Sequence, residues 1–400
     1  MREFIRHSYE NVPYYNRLFK DLKLIPADIK TTDDLVKLPI LTKEIIRENF
    51  KNGRIIAKNI PKKDLMLRGS SGSTGQPLQY YITKEAYSMA IAANLRGWSW
   101  MGYRLGDKYI KLSTNPRQVF VKRFQDKINN CDYIHSKSFT KTDIRNIVNH
   151  FRISNVKFIR GYPAALYILS KYIKENNIDD IKPIAINTTS EPLFPNMRKV
   201  IEKQFNCQIF DSYSAEGGPV VFECNSHKSY HISSEYGFME FVRDNSRVTE
   251  GKAEIVSTDL TNYAMPFIRY RVKDVATLDF KKCTCGRGLP TLSKIEGRDT
   301  DILVTPSGKQ LTFYFFAGYF EWVKSVDMFQ FAQNGINEIR LKLVPNERFN
   351  DKERAKIEKD MSDHIGNEMK LFIQIVDKIP LTSSGKRRFF IRNKKIKLDI

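Results

Sequence analysis

Short apolar segments alternate with longer amphipathic stretches through the middle of this chain, and that alternation admits few folds. Two helical stretches lie between Asp143 and Asn177 and flank the apolar segment Val156–Ile159; Ile184–Thr188 and Gln208–Phe210 follow as short strands, each closed by a polar turn. Strands and helices in that order argue α/β layering. A β-rich region comes next, with strands expected at Tyr236–Val242, Ala253–Ser257, Phe267–Tyr270 and Val275–Asp279. The polar, turn-prone run Glu296–Asp301 suits a junction. Beyond it Glu338–Val344 (strand), Lys352–Ile365 (helix) and Phe372–Val376 (strand) are enough for a small α+β domain. The expected organisation is a large layered domain over residues 1–298 and a small one over 299–400. Earlier still, Pro13, Pro26 and Pro39 separate short helices, and Thr42 and Thr83 are placed to start two more.

Four hundred residues exceed one compact core, and 41% hydrophobic residues suffice to fill two. No apolar run approaches the ~20 residues of a membrane span. The N-terminal MREFIRHSYENVPYYNRLF mixes charges with aromatics, unlike a signal peptide. A cytoplasmic protein is expected. The net charge of +21 invites a nucleic-acid reading, but the lysines are scattered, and the densest basic cluster, from Lys386 to Lys397, lies at the C-terminus. An anionic small molecule such as ATP or coenzyme A explains a positive cleft equally well. Five cysteines in a chain without a secretory signal argue against structural disulfides.

The most chemical segment is Ser70-Ser71-Gly72-Ser73-Thr74-Gly75-Gln76-Pro77, between the expected strands Leu65–Leu67 and Pro77–Thr83. Its hydroxyls and unobstructed backbone N–H groups can converge on a triphosphate. It lacks the Gly-Lys-Ser/Thr ending of a Walker loop and joins two strands rather than a strand and a helix. Taken alone it is equally well an ordinary flexible hairpin tip.

The loop is followed in order by Gly251–Thr258, by Pro266-Phe-Ile-Arg-Tyr-Arg-Val-Lys-Asp274, by Gly297-Arg-Asp-Thr-Asp301 and by Pro380-Leu-Thr-Ser-Ser-Gly-Lys386. This series resembles the adenylate-forming (AMP-dependent) ligase superfamily. The opening NVPYYNRLF, Leu38–Lys43 and Cys283–Arg287 fit its phenylacetate–coenzyme A ligase branch, including CapK-like relatives from capsule and surface-polysaccharide loci. The resemblance runs over nearly the whole chain and implies ATP, Mg²⁺ and, as acceptor, coenzyme A. By this resemblance Ser70, Ser71, Gly72, Ser73, Thr74 and Gly75 would hold the β- and γ-phosphates. Asp274 would accept from the ribose hydroxyls, Arg298 would contact ribose or phosphate, and Asp299 would be the hinge of a mobile C-terminal domain. Glu216 would serve Mg²⁺, Tyr213 the adenine face, and Lys386 the charge that builds during adenylation. Two positions depart from the pattern. Ser212 stands where the family has its tyrosine, four residues before Glu216, with Tyr213 one place late; and Gln76 stands where many relatives have lysine.

Cys224, His231, Cys283 and Cys285 together offer three thiols and an imidazole, the makeup of a closed, structural zinc site. Their spacing resembles that of metal-containing members of the branch, and His227 is an alternative to His231. The leading functional expectation is an acid–thiol ligase. An amine or sugar amine acceptor in surface-polysaccharide synthesis is a variant, and a non-catalytic, zinc-stabilised basic binding protein is a third reading. Neither the acid nor the oligomeric state is legible; the acid pocket is expected near Tyr162–Pro163, Thr189–Glu191 and Ser214–Gly218.

Overall fold

Helix starts follow local chemistry. Thr42, Thr83 and Asn350 each accept a hydrogen bond from the amide three residues on, and so open the helices Lys43–Lys51, Lys84–Ser99 and Asp351–Ile365. Pro13 and Pro163 begin the helices Pro13–Asp21 and Pro163–Glu175, where a missing N–H costs nothing. The computed structural model describes the chain apart from residues 70–77, 114–119, 136–140, 191–192, 194, 280–282, 298–301, 308–309, 313–315, 317–318, 321–322, 381–389 and 393–400.

The central element is an eight-stranded sheet. Five strands run parallel, in the spatial order Gln208–Tyr213, Ala185–Thr189, Phe158–Gly161, Tyr109–Ser113 and Cys131–His135. Three short antiparallel strands, Val221–Glu223, Tyr230–Ile232 and Thr291–Leu292, extend its other edge. Helices Lys141–Ser154, Pro163–Glu175 and Pro195–Phe205 cover one face and bury Ile110, Ile159, Ile186 and Ile209. Helix Lys84–Ser99 covers the other, over Phe158, Ala185, Phe210 and Phe222. Gly97 makes that contact close, because a Cβ there would stand 2.2 Å from the Phe222 ring. The layered α/β expectation therefore holds.

A second, antiparallel sheet of five strands runs Ser246–Arg247, Gly237–Arg243, Gly251–Asp259, Tyr270–Leu278 and Lys294–Gly297. The strands expected separately at Phe267–Tyr270 and Val275–Asp279 form a single one, Tyr270–Leu278. Arg269 is the reason: its φ of 54° breaks the extended backbone and turns Phe267 and Ile268 into the core. The Arg269 side chain is itself buried, with Nε 3.1 Å from Glu240 and Nη1 donating to the Leu38 carbonyl at 2.5 Å. Removing one member of such a pair strands the other charge at a cost of about 3–5 kcal/mol. Arg269 thus fastens the N-terminal helices to this sheet.

From Leu303 onward the residues have a core of their own. Strands Lys370–Ile375, Glu338–Pro345, Val326–Gly335 and Phe390–Arg392 make a mixed sheet in that order, and Ile357, Met361 and Ile365 of helix Asp351–Ile365 pack on Phe331, Ile339 and Leu341. Val326–Gly335, Tyr109–Ser113 and Cys131–His135 are strands that periodicity missed.

Candidate active site and metal centre

Strands Met66–Gly69 and Gln79–Ile82 pair antiparallel, with Gly69 opposite Gln79. Strands therefore flank the hydroxyl-rich segment in sequence, while the segment itself lies outside the described residues. Asn262 ties this hairpin to the five-stranded sheet by donating to the Tyr81 carbonyl at 2.9 Å, and the Tyr80 ring rests on Phe267 at 5.6 Å.

Beside the hairpin, the Gln208–Tyr213 strand ends and turns through Glu216. Gly217, at φ 66°, brings the turn so close to Phe267 that a Cβ would stand 2.2 Å from its ring. Ser257 fixes the same turn by donating to the Gly217 carbonyl at 2.8 Å. Tyr80 senses Glu216: burial raises its phenol pKa, and the Glu216 carboxylate raises it further.

Asp274 meets this turn from the other sheet. The pairing of Gly251–Asp259 with Tyr270–Leu278 slips between Glu254 and Val256, and Lys273 takes a φ of 71° within the irregularity. Such a bulge re-aims a neighbouring side chain. The Tyr213 hydroxyl donates to Asp274 Oδ2 at 2.9 Å. Asp274 is therefore a strand residue tied across two sheets, not a surface turn residue.

Under the rim lies a charged network that the sequence did not reveal. Arg198 forks onto both Glu223 oxygens at 2.6 and 2.7 Å, and the Asp211 amide donates to the same carboxylate at 2.9 Å. Asp211 in turn accepts from Thr188 (2.5 Å) and Tyr230 (2.7 Å). Burial first, and the Glu223 charge second, push the Asp211 carboxyl up to about 7. Because the folded-state pKa is the higher one, the folded chain binds this proton more tightly than the unfolded chain. The stability it confers is complete below the ordinary carboxylate range and is lost as pH rises towards 7. Urea denaturation of wild type and Asp211→Asn across this window is expected to show a steeper decline in the wild type, by at most about 1.4 kcal/mol per pH unit. Parallel curves would deny Asp211 its raised pKa.

Cys224, His231, Cys283 and Cys285 converge, with one donor atom from each lying within 4.8 Å of the others. The topology makes this meeting. Cys224 follows the Val221–Glu223 strand, His231 stands on its partner Tyr230–Ile232, and Thr291–Leu292 pairs alongside, with Thr291 opposite His231. Cys224 and Cys283 sulfurs are 3.5 Å apart, and Cys285 Sγ lies 3.3 Å from His231 Nε2. A disulfide requires about 2.05 Å, whereas thiolates sharing a tetrahedral zinc at about 2.3 Å stand about 3.8 Å apart. Ser226 Oγ lies 3.1 Å from Cys224 Sγ and 3.2 Å from Cys283 Sγ. Burial works against ionising Cys283, but hydrogen bonds led by that from Ser226 outweigh it and hold the thiol at about 5. His227, the alternative ligand, is elsewhere: Nδ1 lies 3.6 Å from Glu223 and its ring packs edge-on to Phe210. A set of three thiols and an imidazole, with Cys224 and His231 buried and Cys283 and Cys285 half-buried, fits a thiophilic, tetrahedral ion.

Residues 303–393 match the CapK C-terminal domain family. Protein CapK of Staphylococcus aureus is 27% identical over 414 aligned residues, covering 98% of this chain and 87% of that protein. Phenylacetate-coenzyme A ligase of Pseudomonas putida is 25% identical, covering 76% and 70% respectively. The chain is CapK-like, and more distantly similar to phenylacetate-coenzyme A ligases. The fold agrees: a solved 2-hydroxyisobutyryl-CoA ligase, in complex with 2-HIB-AMP and CoA in the thioesterification state, superposes with a TM-score of 0.64 at 17% identity, covering 98% and 88% of the two chains.

In this CapK-like chain the described residues bring together Tyr213, Glu216 and Asp274, and separately the four metal-type ligands. Ser70, Ser71, Gly72, Ser73, Thr74, Gly75, Arg298, Asp299 and Lys386 lie outside the described residues. Tyr80 was missed, although its place three residues after Pro77, on the strand leaving the loop, was a usable signal. Among the described residues no helix is long and apolar enough to cross a membrane.

Proposed function

We propose that this chain uses ATP to activate a carboxylic acid as its acyl adenylate and then passes the acyl group to a thiol, with coenzyme A the favoured acceptor. The observation that carries this reading is the Tyr213–Asp274 hydrogen bond across two sheets, beside Glu216 and close to the paired strands Met66–Gly69 and Gln79–Ile82 that flank Ser70–Gly75 in sequence. The Asp274 carboxylate is a hydrogen-bond acceptor suited to ribose hydroxyls, while Tyr213 offers a ring face already fixed at its hydroxyl end. The hydroxyls and amides of Ser70–Gly75 would grip the phosphates that leave as pyrophosphate, with Arg298 bearing on the ribose or phosphate. Glu216 would hold Mg²⁺, which neutralises phosphate charge when bound. Lys386 would be delivered by the C-terminal domain, turning about Asp299, to meet the charge that develops at the α-phosphate.

Cys224, His231, Cys283 and Cys285 are assigned to a structural zinc ion. Four protein ligands leave no coordination position for substrate, and the cluster secures the edge strands that adjoin the Asp211 network.

Acid-dependent ATP–pyrophosphate exchange across a panel of acids tests the first half-reaction. Release of AMP on adding coenzyme A tests the second; AMP release that requires an amine instead would move the acceptor. A purified protein that exchanges pyrophosphate with no acid would defeat the proposal.

A further inference from the structure

Between helix Lys84–Ser99 and the eight-stranded sheet lies a cation with no anion beside it among the described residues. Arg160 stands on the Phe158–Gly161 strand, and since Ile159 enters the opposite core, Arg160 shares the face of Phe158 with Trp98, Tyr109 and Phe210. Its guanidinium lies over the Trp98 ring, 5.3 Å from the centroid. Among the described residues no carboxylate pairs with it and no hydrogen bond holds it; Nε is buried and unpartnered. Burial lowers its pKa, and only Tyr109, Tyr162 and Cys131 oppose that effect.

The surroundings share the deficit. Trp98 Nε1 is a buried donor with no partner, and Asn187 Oδ1 a buried acceptor with none. Asn187 is directly beside Arg160 in the sheet, with its amide nitrogen already donating to Phe210 and Ser212. Buried polar groups are ordinarily satisfied, and buried charges are ordinarily paired. A fold that leaves two donors and an acceptor unmet in one layer is arranged for a guest. Arg160 also keeps partial exposure, so a solute can reach it.

The position fits the far end of an acid. Arg160 is level with Asn187 and Phe210 across the sheet. Tyr213 is three residues beyond Phe210, about 10 Å along the strand, where its side chain turns to the opposite face at the strand's end. That strand is two spacings, about 10 Å, from Arg160, so the path between them passes round the strand end. An acid whose reacting carboxylate stands at the Tyr213–Glu216 rim would extend towards Arg160. With one guanidinium face on Trp98, the edge N–H groups remain for a planar, singly charged oxyanion, which a carboxylate matches better than a phosphate dianion.

We propose that Arg160 determines acid specificity and that the acid carries a second carboxylate, which Arg160 binds. This rests on the acid-activation reading above. Matched pairs test it: succinate against butyrate, adipate against hexanoate, terephthalate against benzoate. Pyrophosphate exchange would be measured in wild type, Arg160→Met and Arg160→Lys, alongside the melting-temperature shift that each acid induces. The wild type is expected to favour the diacid of at least one pair by about 100-fold in kcat/KM. Arg160→Met should lose that preference through KM and retain exchange with the monoacid, and Arg160→Lys should recover part of it. The melting temperature of Arg160→Met without ligand should equal or exceed that of the wild type, since an unpaired buried charge has gone. Should Arg160→Met fail to fold, Arg160→Lys carries the comparison. A wild type that prefers monoacids throughout, or an Arg160→Met variant that keeps the diacid preference, overturns the proposal. If no acid supports exchange, acid activation itself fails; a diacid-induced shift in wild type and not in Arg160→Met then still decides for the Arg160 site, and its absence against it.

Discussion

Lys386→Ala is expected to abolish acid-dependent ATP–pyrophosphate exchange, by at least about 100- to 1,000-fold, while transfer from a supplied acyl adenylate to the acceptor stays within a few-fold of wild type. The asymmetry follows from charge. Adenylation brings a carboxylate against a triphosphate, so two anions must approach, and a positioned ammonium is most useful while charge builds on the α-phosphate. In the transfer step the adenylate is already formed and the acceptor attacks carbon, so that ammonium has lost its task. A lysine suits the first role because a compact charge on a long stem can be swung in and withdrawn. Lys386→Arg keeps the charge but spreads it over a planar fork, and is expected to recover only part of the rate. Single-turnover measurements with isolated adenylate separate the two steps. Wild-type exchange in the alanine variant would remove Lys386 from the chemistry.

Cys283→Ser should cost the protein its stoichiometric zinc and about 3–5 kcal/mol of stability, read as a fall in melting temperature that chelator reproduces in the wild type. Hydrogen bonds led by that from Ser226 lower the Cys283 thiol pKa and favour its thiolate, so its loss removes an anionic ligand. His231→Ala should behave alike, whereas His227→Ala should keep the metal, because only His231 stands among the thiols. Exchange activity should follow the folded fraction in all three, as Tyr213, Glu216 and Asp274 are not ligands. Metal analysis by mass spectrometry decides the matter. A zinc-free wild type with an unchanged Cys283→Ser melting curve would end the assignment.

Local chemistry was the legible part of the fold. Thr42 and Thr83 cap helices because a hydroxyl placed before an amphipathic run can do little else, and alternating strands and helices led to the layered sheet. The convergence of Cys224, His231, Cys283 and Cys285 was legible for a related reason: thiols and imidazoles are few, so their clustering is informative even across many residues. What stayed hidden depends on partners distant in sequence. Arg269 looks like a surface residue until Glu240 and the Leu38 carbonyl are seen to enclose it. Asp211, Glu223 and Arg198 come from different elements and are joined only by sheet register. Asp274 was identified by motif, but the bulge that turns it onto Tyr213 belongs to the pairing of two strands. Arg160 carried no signal at all, because a lone arginine in an apolar strand reads as an edge position until the sheet is assembled around it.

Cys224 and Cys283 meet although 59 residues separate them. The span between them contains four strands of the antiparallel sheet, Gly237–Arg243, Ser246–Arg247, Gly251–Asp259 and Tyr270–Leu278, which pair with near neighbours and can zip locally. Closing a loop of that length from an open chain costs roughly 3–4 kcal/mol of entropy. A growing chain therefore gains by forming the meander first, which shortens the remaining gap, and by joining the sulfurs last. If the proposed site takes an ion, capture too early would reverse that sequence and tether the ends before the strands had found register, and the timing of metal supply would then govern folding yield.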